Sequence, residues 1–357
     1  MRRKLTMLAG AIAASALVAT AVPAHAAENV PGGGASFPYA FMQQCVADFN
    51  ASQKNFTMSY QSTGSGTGKS NFTKGTFVFG QSDSKYSSGE PTFGWEYVPN
   101  IGGAIVFPIN LKKATGSGTL GSAINLKQST LAKIMGGLIK TWNDPEILKS
   151  NPAIAKMIPA TPIVIVYRSG NSGTSNNTLQ YLNAWAPSIF SKVQDDFGTA
   201  FPGGTPPAGS LTGKDNAAVL QTIVNTPGAI GYVDLSDARA FPNYARIENA
   251  LGQFVIPNAT SAAKTLAQQT AVADNGLVSL DYGKVGTGRK IPNGYPVVIF
   301  SYGLVRTDGK GPNGLGVRQF QQYVIAKCGP AKAAGLGYVP VGGKVLQTAI
   351  ALTNKIG

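Results

Sequence analysis

The stretch TPIVIVYRSGNSGTS, residues 161–175, contains the pattern that decides the fold class. Its first part, residues 161–167, is a nearly continuous apolar run, which is typical of a strand buried on both faces of a parallel sheet. Residues 168–175 then supply glycines and small hydroxyl side chains, and a helix is predicted beyond them through Leu179 and Leu182. A strand that passes through a glycine-rich loop into a helix indicates an α/β protein.

The same alternation of strands and helices recurs along the chain. Further strands are predicted at residues 56–62, 76–80 and 104–111. Helices are predicted at residues 37–49, 129–135, 215–224 and 345–355. The elements therefore predict α/β layers, and a chain of 357 residues has the length of two domains.

The first residues have the pattern of a secretory signal peptide. A short basic region at residues 2–4 precedes an apolar run at residues 8–22, and Ala24 and Ala26 occupy the positions that a signal peptidase reads. We expect residues 1–26 to be removed, with cleavage before Ala27. No cysteine follows the apolar run, so a lipid anchor is not predicted, and the mature protein is expected to be periplasmic or secreted.

Removal of that segment limits the chemistry of the mature chain. The chain's one histidine, His25, lies in the signal peptide, so Ser-His-Asp, Cys-His and histidine–zinc sites are excluded. Three of the 30 basic residues also leave, and the remaining 27 exceed the 16 acidic residues by 11. These basic residues are scattered and no nucleic-acid-binding motif is present, so the charge indicates anionic partners without naming one.

Two cysteines remain, Cys45 and Cys328. An even count in an oxidising compartment favours one disulfide, and two separate buried thiols are the alternative. A bond between them would place both ends of the mature chain in one structural unit.

Three loops share a design that suits an anion. They are GGGASFPY at residues 32–39, STGSGTGKS at residues 62–70 and RSGNSGTS at residues 168–175. Each places a small hydroxyl residue and glycines where a strand leads into a helix. Helix N-termini have free N–H donors and partial positive charge, and Arg168 adds a bidentate donor, so the three loops can enclose a small oxyanion.

The second loop is similar to a nucleotide-binding P-loop, but it departs from that pattern. The P-loop requires a glycine five residues before the Gly-Lys pair, where this chain has Thr63. A flexible surface turn is the alternative for this segment taken alone, and Lys69 is expected to be solvated.

Asp83, in FGQSDSKY at residues 79–86, refines the type of anion. An ionised carboxylate only accepts hydrogen bonds, so it suits an anion that carries a proton. Hydrogen phosphate has such a proton and sulfate does not, so the site would select phosphate. An ordinary turn aspartate is the alternative interpretation.

Eight segments, taken in order, resemble the phosphate-binding proteins that serve ABC-type phosphate importers. They are GGGASFP, YQSTGSGTG, FGQSD, IGGAIVFPINL, LAKIMGGLIKTWNDPEI, YRSGNSGTS, GAIGYVD and YPVVIFSY. The resemblance implies a type II periplasmic-binding-protein fold, with phosphate between two lobes that are joined by crossing strands near residues 104–110 and 295–302. One lobe would comprise residues 27–106 and 296–357, and the other residues 107–295.

The resemblance also implies the site and the role. The implied phosphate contacts are Ser36, Phe37 (through its backbone N–H), Ser65, Asp83, Arg168, Ser172, Gly173 and Thr174. Gly170 departs from the family, whose members commonly have an aspartate there, so discrimination against arsenate is left open. The implied protein is a monomer and not an enzyme, has no cofactor or metal, and delivers inorganic phosphate to an ABC permease.

Two other functions are compatible with the same residues. A phosphatase would use the same anion site with Ser65 or Ser172 as the nucleophile, although the mature chain has no histidine. A secreted surface-interaction protein that binds polyanions would use the net positive charge.

Overall fold

A computed structural model describes residues 27–116, 118–120, 124–241, 243–282 and 290–357. The predicted signal peptide, residues 1–26, lies outside the described residues. Within the described ranges, no helix is long and apolar enough to cross a membrane.

Strands and helices alternate along the described chain, as the sequence predicts. The strands are β1 (Glu28–Gly34), β2 (Phe56–Ser62), β3 (Phe79–Ser82), β4 (Trp95–Val106), β5 (Asn125–Leu126), β6 (Val164–Arg168), β7 (Leu211–Gly213), β8 (Ala229–Gly231), β9 (Val233–Asp234), β10 (Arg246–Glu248), β11 (Phe254–Val255) and β12 (Val298–Arg306). The α-helices are α1 (Tyr39–Ser52), α2 (Ser65–Thr73), α3 (Gln128–Met135), α4 (Pro145–Ser150), α5 (Gly173–Trp185), α6 (Asn216–Asn225), α7 (Leu235–Ala238), α8 (Ala259–Leu266), α9 (Gly314–Tyr323), α10 (Gly329–Lys332) and α11 (Gly343–Thr353). Short 3₁₀ helices lie at Pro152–Met157, Phe197–Thr199, Pro202–Gly204 and Ala334–Leu336, and a π-helical turn at Val324–Cys328.

The largest sheet is built mainly from both ends of the chain, with β9 from its middle. Its strand order is β2-β1-β3-β12-β4-β9, and two three-stranded sheets, β11-β10-β5 and β7-β6-β8, come from the middle of the chain. Strands β1, β2 and β3 are parallel to one another. Strand β12 runs antiparallel to β3 and to β4, so β4 has the same direction as the first three strands. The parallel strands end at one edge of the sheet, so the loops that follow them can share one site.

The two long central strands connect the sheets. Strand β4 pairs with β12 along its length, and just beyond Val106 the chain forms a bridge between Ile109 and Ile230 of β8. The protein therefore has the two-lobe α/β fold with crossing strands that the sequence predicts. The lobe boundaries at residues 106/107 and 295/296 stay predictions; Asn275, from the middle of the chain, accepts a hydrogen bond from Tyr97 N of β4 (3.0 Å).

Local patterns located most elements but misplaced two strands. The bounds of β2 match the prediction, and α3, α6 and α11 differ from theirs by one or two residues. The strand predicted at 76–80 lies at Phe79–Ser82, and the one predicted at 104–111 is Trp95–Val106. The middle of β4 contains Pro99 and two glycines, which favour a turn, but pairing with β12 overrides that preference. The ladder is irregular opposite Pro99, where a proline is tolerated.

The predicted disulfide is confirmed. Cys45 of α1 and Cys328 are bonded, with their Cα atoms 5.7 Å apart and a sequence separation of 283. The bond fastens the first helix to the C-terminal helices, which pack on the same large sheet.

Replacing both cysteines with alanine is expected to lower the free energy of unfolding by roughly 2–4 kcal/mol, because the bond closes a very long loop in the unfolded chain. Thermal unfolding under non-reducing conditions measures this loss. Reduction of the wild-type protein should give the same shift, and reductant should not affect the double variant. Equal stability of the two proteins would contradict the prediction.

Candidate functional site

The predicted ligand residues meet in the cleft between the lobes. Ser65, Arg168 and Thr174 are almost completely buried there. Four parts of the chain meet around one point. They are two loops that follow strands of the large sheet, the end of β3, and the start of α5. Direct contacts join Ser65 to Asp83 and Arg168 to Ser36, and Gly173 lies against both Ser65 and Asp83. Ser172 and Thr174 flank Gly173 at the start of α5, and Phe37 follows Ser36 in the chain.

The glycines of STGSGTGKS let the two lobes approach each other. Gly64 has φ of +86°, a conformation that side chains rarely adopt, and it directly precedes Ser65, the first residue of α2. A Cβ added at Gly66 would lie 2.5 Å from Asn171 Cβ of the opposite lobe. The loop therefore serves close approach and leaves the start of α2 facing the cleft.

The start of α5 presents a second set of donors. Ser172 is its N-cap, and its hydroxyl accepts a hydrogen bond from Ser175 N (3.3 Å). A Cβ at Gly173 would lie 2.5 Å from Ser65 Oγ and 2.6 Å from Asp83 Cβ, so only glycine fits there. The first turns of α2 and α5 thus converge, and helix N-termini of this kind bind anions.

Arg168 is held by neutral acceptors. Its Nη1 donates to Ser36 Oγ (3.0 Å) and Asn216 Oδ1 (2.8 Å), and Nη2 donates to Lys214 O (3.1 Å). In the described part of the chain no acceptor meets the buried Nε, which leaves this donor available to a ligand. No described atom lies within 4 Å of a Cβ added at Gly170, so the guanidinium is not crowded from that side.

Asn216 connects Arg168 to buried carboxyl groups that sequence reasoning missed. Its amide nitrogen donates to the Asp234 side chain. Burial raises the pKa of Asp234 well above its usual range, and burial, together with the charge of Asp215, raises the pKa of Asp237 to about 6. A protonated Asp234 carries no negative charge behind Arg168, so the positive charge of the guanidinium remains effective toward the cleft.

Asp83 is the one carboxylate among the predicted ligand residues. Ser301 Oγ donates to its Oδ1, and Ser65 Oγ donates to its Oδ2 (3.3 Å). Burial raises the pKa of Asp83 to about 7, although the hydrogen bonds from Ser301 and Ser65 and the charge of Arg168 lower it. The carboxyl group is therefore close to its titration midpoint at neutral pH.

Ser301 is a further site residue that the sequence analysis missed. It lies on β12, 218 residues from Asp83. Gln81 Nε2 donates to Ser301 Oγ (2.8 Å), which directs the serine proton toward Asp83. Its segment, YPVVIFSY, contributed to the resemblance, but nothing local indicates that this serine reaches the cleft.

The expectation that Lys69 is solvated was wrong. The residue is only 7% exposed, and its ammonium group donates to Ser84 Oγ (3.0 Å), Lys85 O (2.8 Å) and Asp195 Oδ2 (2.7 Å). Lys69 lies one helical turn after Ser65, so it shares the inward face of α2.

The mouth of the cleft is basic. A hollow of about 540 Å³ opens there, and its charged lining residues are Arg168, Lys74 and Lys214. Clefts lined by one sign of charge concentrate ligands of the opposite sign. In the described ranges, no three His, Cys, Asp or Glu side chains cluster as metal ligands.

Two lobes with a buried cleft of hydrogen-bond donors define the class of solute-binding proteins. A family model described as a PBP superfamily domain matches residues 19–327. Relatives named phosphate-binding protein PstS are 35% identical over 254 residues in Xylella fastidiosa and 30% identical over 280 residues in Methanocaldococcus jannaschii. The chain belongs to the PBP superfamily and, within it, to the family of PstS phosphate-binding proteins.

The alignment with the Xylella protein covers 70% of this chain and 66% of that protein. The alignment with the Methanocaldococcus protein covers 75% of this chain and 69% of that protein. A solved structure of a high-affinity periplasmic phosphate-binding protein bound with phosphate is similar with a TM-score of 0.71, at 24% identity, over 90% of this chain and 93% of that one. The phosphate-binding protein of Stenotrophomonas maltophilia has a TM-score of 0.66 at 20% identity, over 91% and 94%. At these identities the structures support the two-lobe fold.

Proposed function

We propose that this chain is an exported phosphate-binding protein, which captures hydrogen phosphate between its lobes and delivers it to an ABC permease. The observation that carries the proposal is the composition of the cleft. Arg168, the hydroxyl groups of Ser36 and Ser65 and the first turn of α5 supply donors around a single carboxylate, Asp83. The predicted contacts through Phe37 N, Ser172, Gly173 and Thr174 belong to the same proposed site.

The carboxylate gives the site its selectivity. The Ser65 hydroxyl donates to Asp83 Oδ2, and an anion that accepts from this hydroxyl instead frees Asp83 Oδ2. Hydrogen phosphate can fill the vacant acceptor with its own proton, whereas sulfate leaves the acceptor unpaired. An unpaired buried acceptor is costly, so the site prefers phosphate.

Capture needs no covalent step. Arg168 contacts Ser36 and Asn177 contacts the Asp83 carbonyl group, and both contacts cross the cleft. A phosphate that bridges the same two walls binds the closed form more tightly than the open form, so it shifts the population toward closure. The permease would bind the closed form.

The relatives support the delivery step and the location. PstS proteins are named for phosphate binding, and the chain's membership of this family makes an ABC phosphate permease the expected partner. The predicted signal peptide supports a periplasmic or secreted location. A monomer binding one phosphate is expected.

Titration calorimetry on the ligand-stripped mature protein tests the proposal. At pH 8 we expect tight binding of one phosphate and no heat from sulfate, because Asp83 is then ionised. Arsenate also carries a proton, so its affinity relative to that of phosphate shows whether a protein with Gly170 discriminates between the two anions.

Three results would contradict the proposal. The first is the absence of heat with phosphate. The second is polyanion binding that survives loss of Arg168, which would favour a surface-interaction protein. The third is turnover of a chromogenic phosphate ester, which would favour a phosphatase.

A further inference from the structure

The ammonium group of Lys69 uses all of its hydrogen-bonding capacity. Its three protons meet Ser84 Oγ, the Lys85 carbonyl oxygen and Asp195 Oδ2, at 2.7–3.0 Å. The side chain is 9% exposed, and its ammonium group also lies 5.7 Å from the centre of the Tyr86 ring. A lysine in this setting has lost most of its hydration, so its hydrogen-bond partners must replace the lost water molecules.

The carboxylate of Asp195 is equally well paired. Its Oδ2 accepts from Lys69 and from Ser84 Oγ (3.1 Å), and its Oδ1 accepts from Asn176 Nδ2 (2.9 Å). The Asp195 side chain is 15% exposed. The ion pair is thus largely shielded from water. Charges attract each other more strongly in such a setting than at an open surface.

The two partners belong to opposite walls of the cleft. Lys69 lies on α2, which packs against β1 and β3 of the large sheet. Asp195 precedes the 3₁₀ helix at Phe197–Thr199, which packs against β6 of a small sheet. If the lobes separate, Lys69 keeps Ser84 and Lys85 of its own lobe, but it loses its charged partner. The ion pair therefore contributes to stability only while the cleft is closed.

The pair is also connected to both helix N-termini of the site. Lys69 lies one turn after Ser65 on α2. The carbonyl oxygen of Asp195 accepts from Ser172 N (2.9 Å), and Asn176, which holds the Asp195 carboxylate, lies in the first turns of α5. Closing the ion pair consequently sets the position of one group of donors relative to the other.

We propose that Lys69 and Asp195 form an interlobe latch that stabilises the closed cleft and prolongs the residence of the bound anion. This inference rests on the proposed function for the identity of the anion. The two residues are positioning residues: they act through the alignment of α2 and α5 and do not contact the ligand. Affinity then depends on the latch because binding is weakened in proportion to any loss of the closed form.

Lys69→Met removes the ammonium group and keeps most of the side-chain packing, and Asp195→Asn removes the charge from the opposite wall. Each is expected to raise the phosphate dissociation rate about tenfold and to change the association rate by less than about twofold. The double variant should be no weaker than the single variants, because the pair acts as one unit. Stopped-flow measurements with phosphate provide both rates.

Lys74→Met is the matched control. Lys74 follows α2 directly and is exposed at the cleft mouth, so its replacement removes one charge from the same region without touching the latch. We expect Lys74→Met to lower the association rate at low salt and to leave the dissociation rate unchanged. A dissociation rate in Lys69→Met or Asp195→Asn equal to that of Lys74→Met would overturn the proposal.

Small-angle scattering of the phosphate-free proteins tests the latch independently of any ligand. Lys69→Met and Asp195→Asn should have a larger radius of gyration than the wild type, and Lys74→Met should not. An unchanged radius of gyration in both latch variants would overturn the latch. If the wild type binds no phosphate, the proposed function fails, while the scattering comparison still decides whether the latch exists.

Discussion

Replacing Arg168 with glutamine is expected to weaken phosphate binding by about a thousandfold. The guanidinium is buried, and among the described residues it is hydrogen-bonded to no carboxylate and its Nε meets no acceptor. Loss of one partner from a buried, charge-assisted contact costs roughly 2–5 kcal/mol, and about 4 kcal/mol corresponds to a thousandfold. Calorimetry on the stripped variant measures the change directly.

Two variants make this result interpretable. Arg168→Lys keeps the charge but loses the planar pair of donors, so we expect an intermediate loss. Arg306→Gln removes an arginine whose carboxylate partner is Asp308, at the far end of β12, about 16 Å along the strand from Ser301. It should leave phosphate affinity unchanged. An Arg168→Gln variant that folds and binds phosphate within tenfold of the wild type would remove Arg168 from the site.

The sequence predicted those parts of the site that local patterns encode. The strand predicted at residues 161–167 is β6 (Val164–Arg168), and the helix predicted after the RSGNSGTS loop is α5, for which Ser172 is the N-cap. Both depend on a few neighbouring residues. Hydroxyl residues and glycines at strand-to-helix junctions are local signals of this kind. The junctions after β1 and β2 lie at one edge because these strands are parallel neighbours in the large sheet, whereas the third follows β6 of a separate sheet.

Contacts between distant segments could not be predicted. Ser301 reaches Asp83 from another strand, and Asn216 reaches both Arg168 and Asp234 only because α6 packs beside β6 and β9. The burial of Lys69 could not be predicted for the same reason. A lysine in a glycine- and serine-rich helix is usually solvated, and its burial depends on an aspartate 126 residues later in the chain.

Replacing Asp83 with asparagine is expected to abolish most of the preference for phosphate over sulfate. A site that requires a ligand proton rejects ligands without one by a factor on the order of 10⁴. The asparagine Oδ1 can accept from Ser301, and its Nδ2 can donate to an anion. We therefore expect phosphate to bind about tenfold more weakly and sulfate to approach it within about tenfold. Competition of sulfate with labelled phosphate measures both affinities.

The wild-type protein should show part of this behaviour as the pH falls. Burial raises the pKa of Asp83 to about 7, so the carboxyl group is ionised at pH 8.5 and mostly protonated at pH 5 in the empty cleft. A protonated carboxyl can donate to a sulfate oxygen. Sulfate should therefore compete at pH 5 and not at pH 8.5, whereas Asp83→Asn should bind sulfate equally at both. Sulfate rejection that is independent of pH in the wild type would contradict this role.

The stability of the empty protein provides a separate measure of the same carboxyl group. Its pKa is higher in the folded state, about 7, than the ordinary value of 3.8, so the folded state binds the proton more tightly than the unfolded state does. The favourable contribution of the protonated form is complete below about pH 4, is lost as the pH rises to about 7, and amounts to at most about 4 kcal/mol.

Asp83→Asn has no charge to bury, so we expect its thermal stability relative to the wild type to increase between pH 5 and pH 8 in the absence of phosphate. A constant difference between the two proteins over this range would mean that Asp83 does not titrate there. The ionised carboxylate is thus expected to destabilise the empty cleft, and a ligand that brings its own proton relieves that cost.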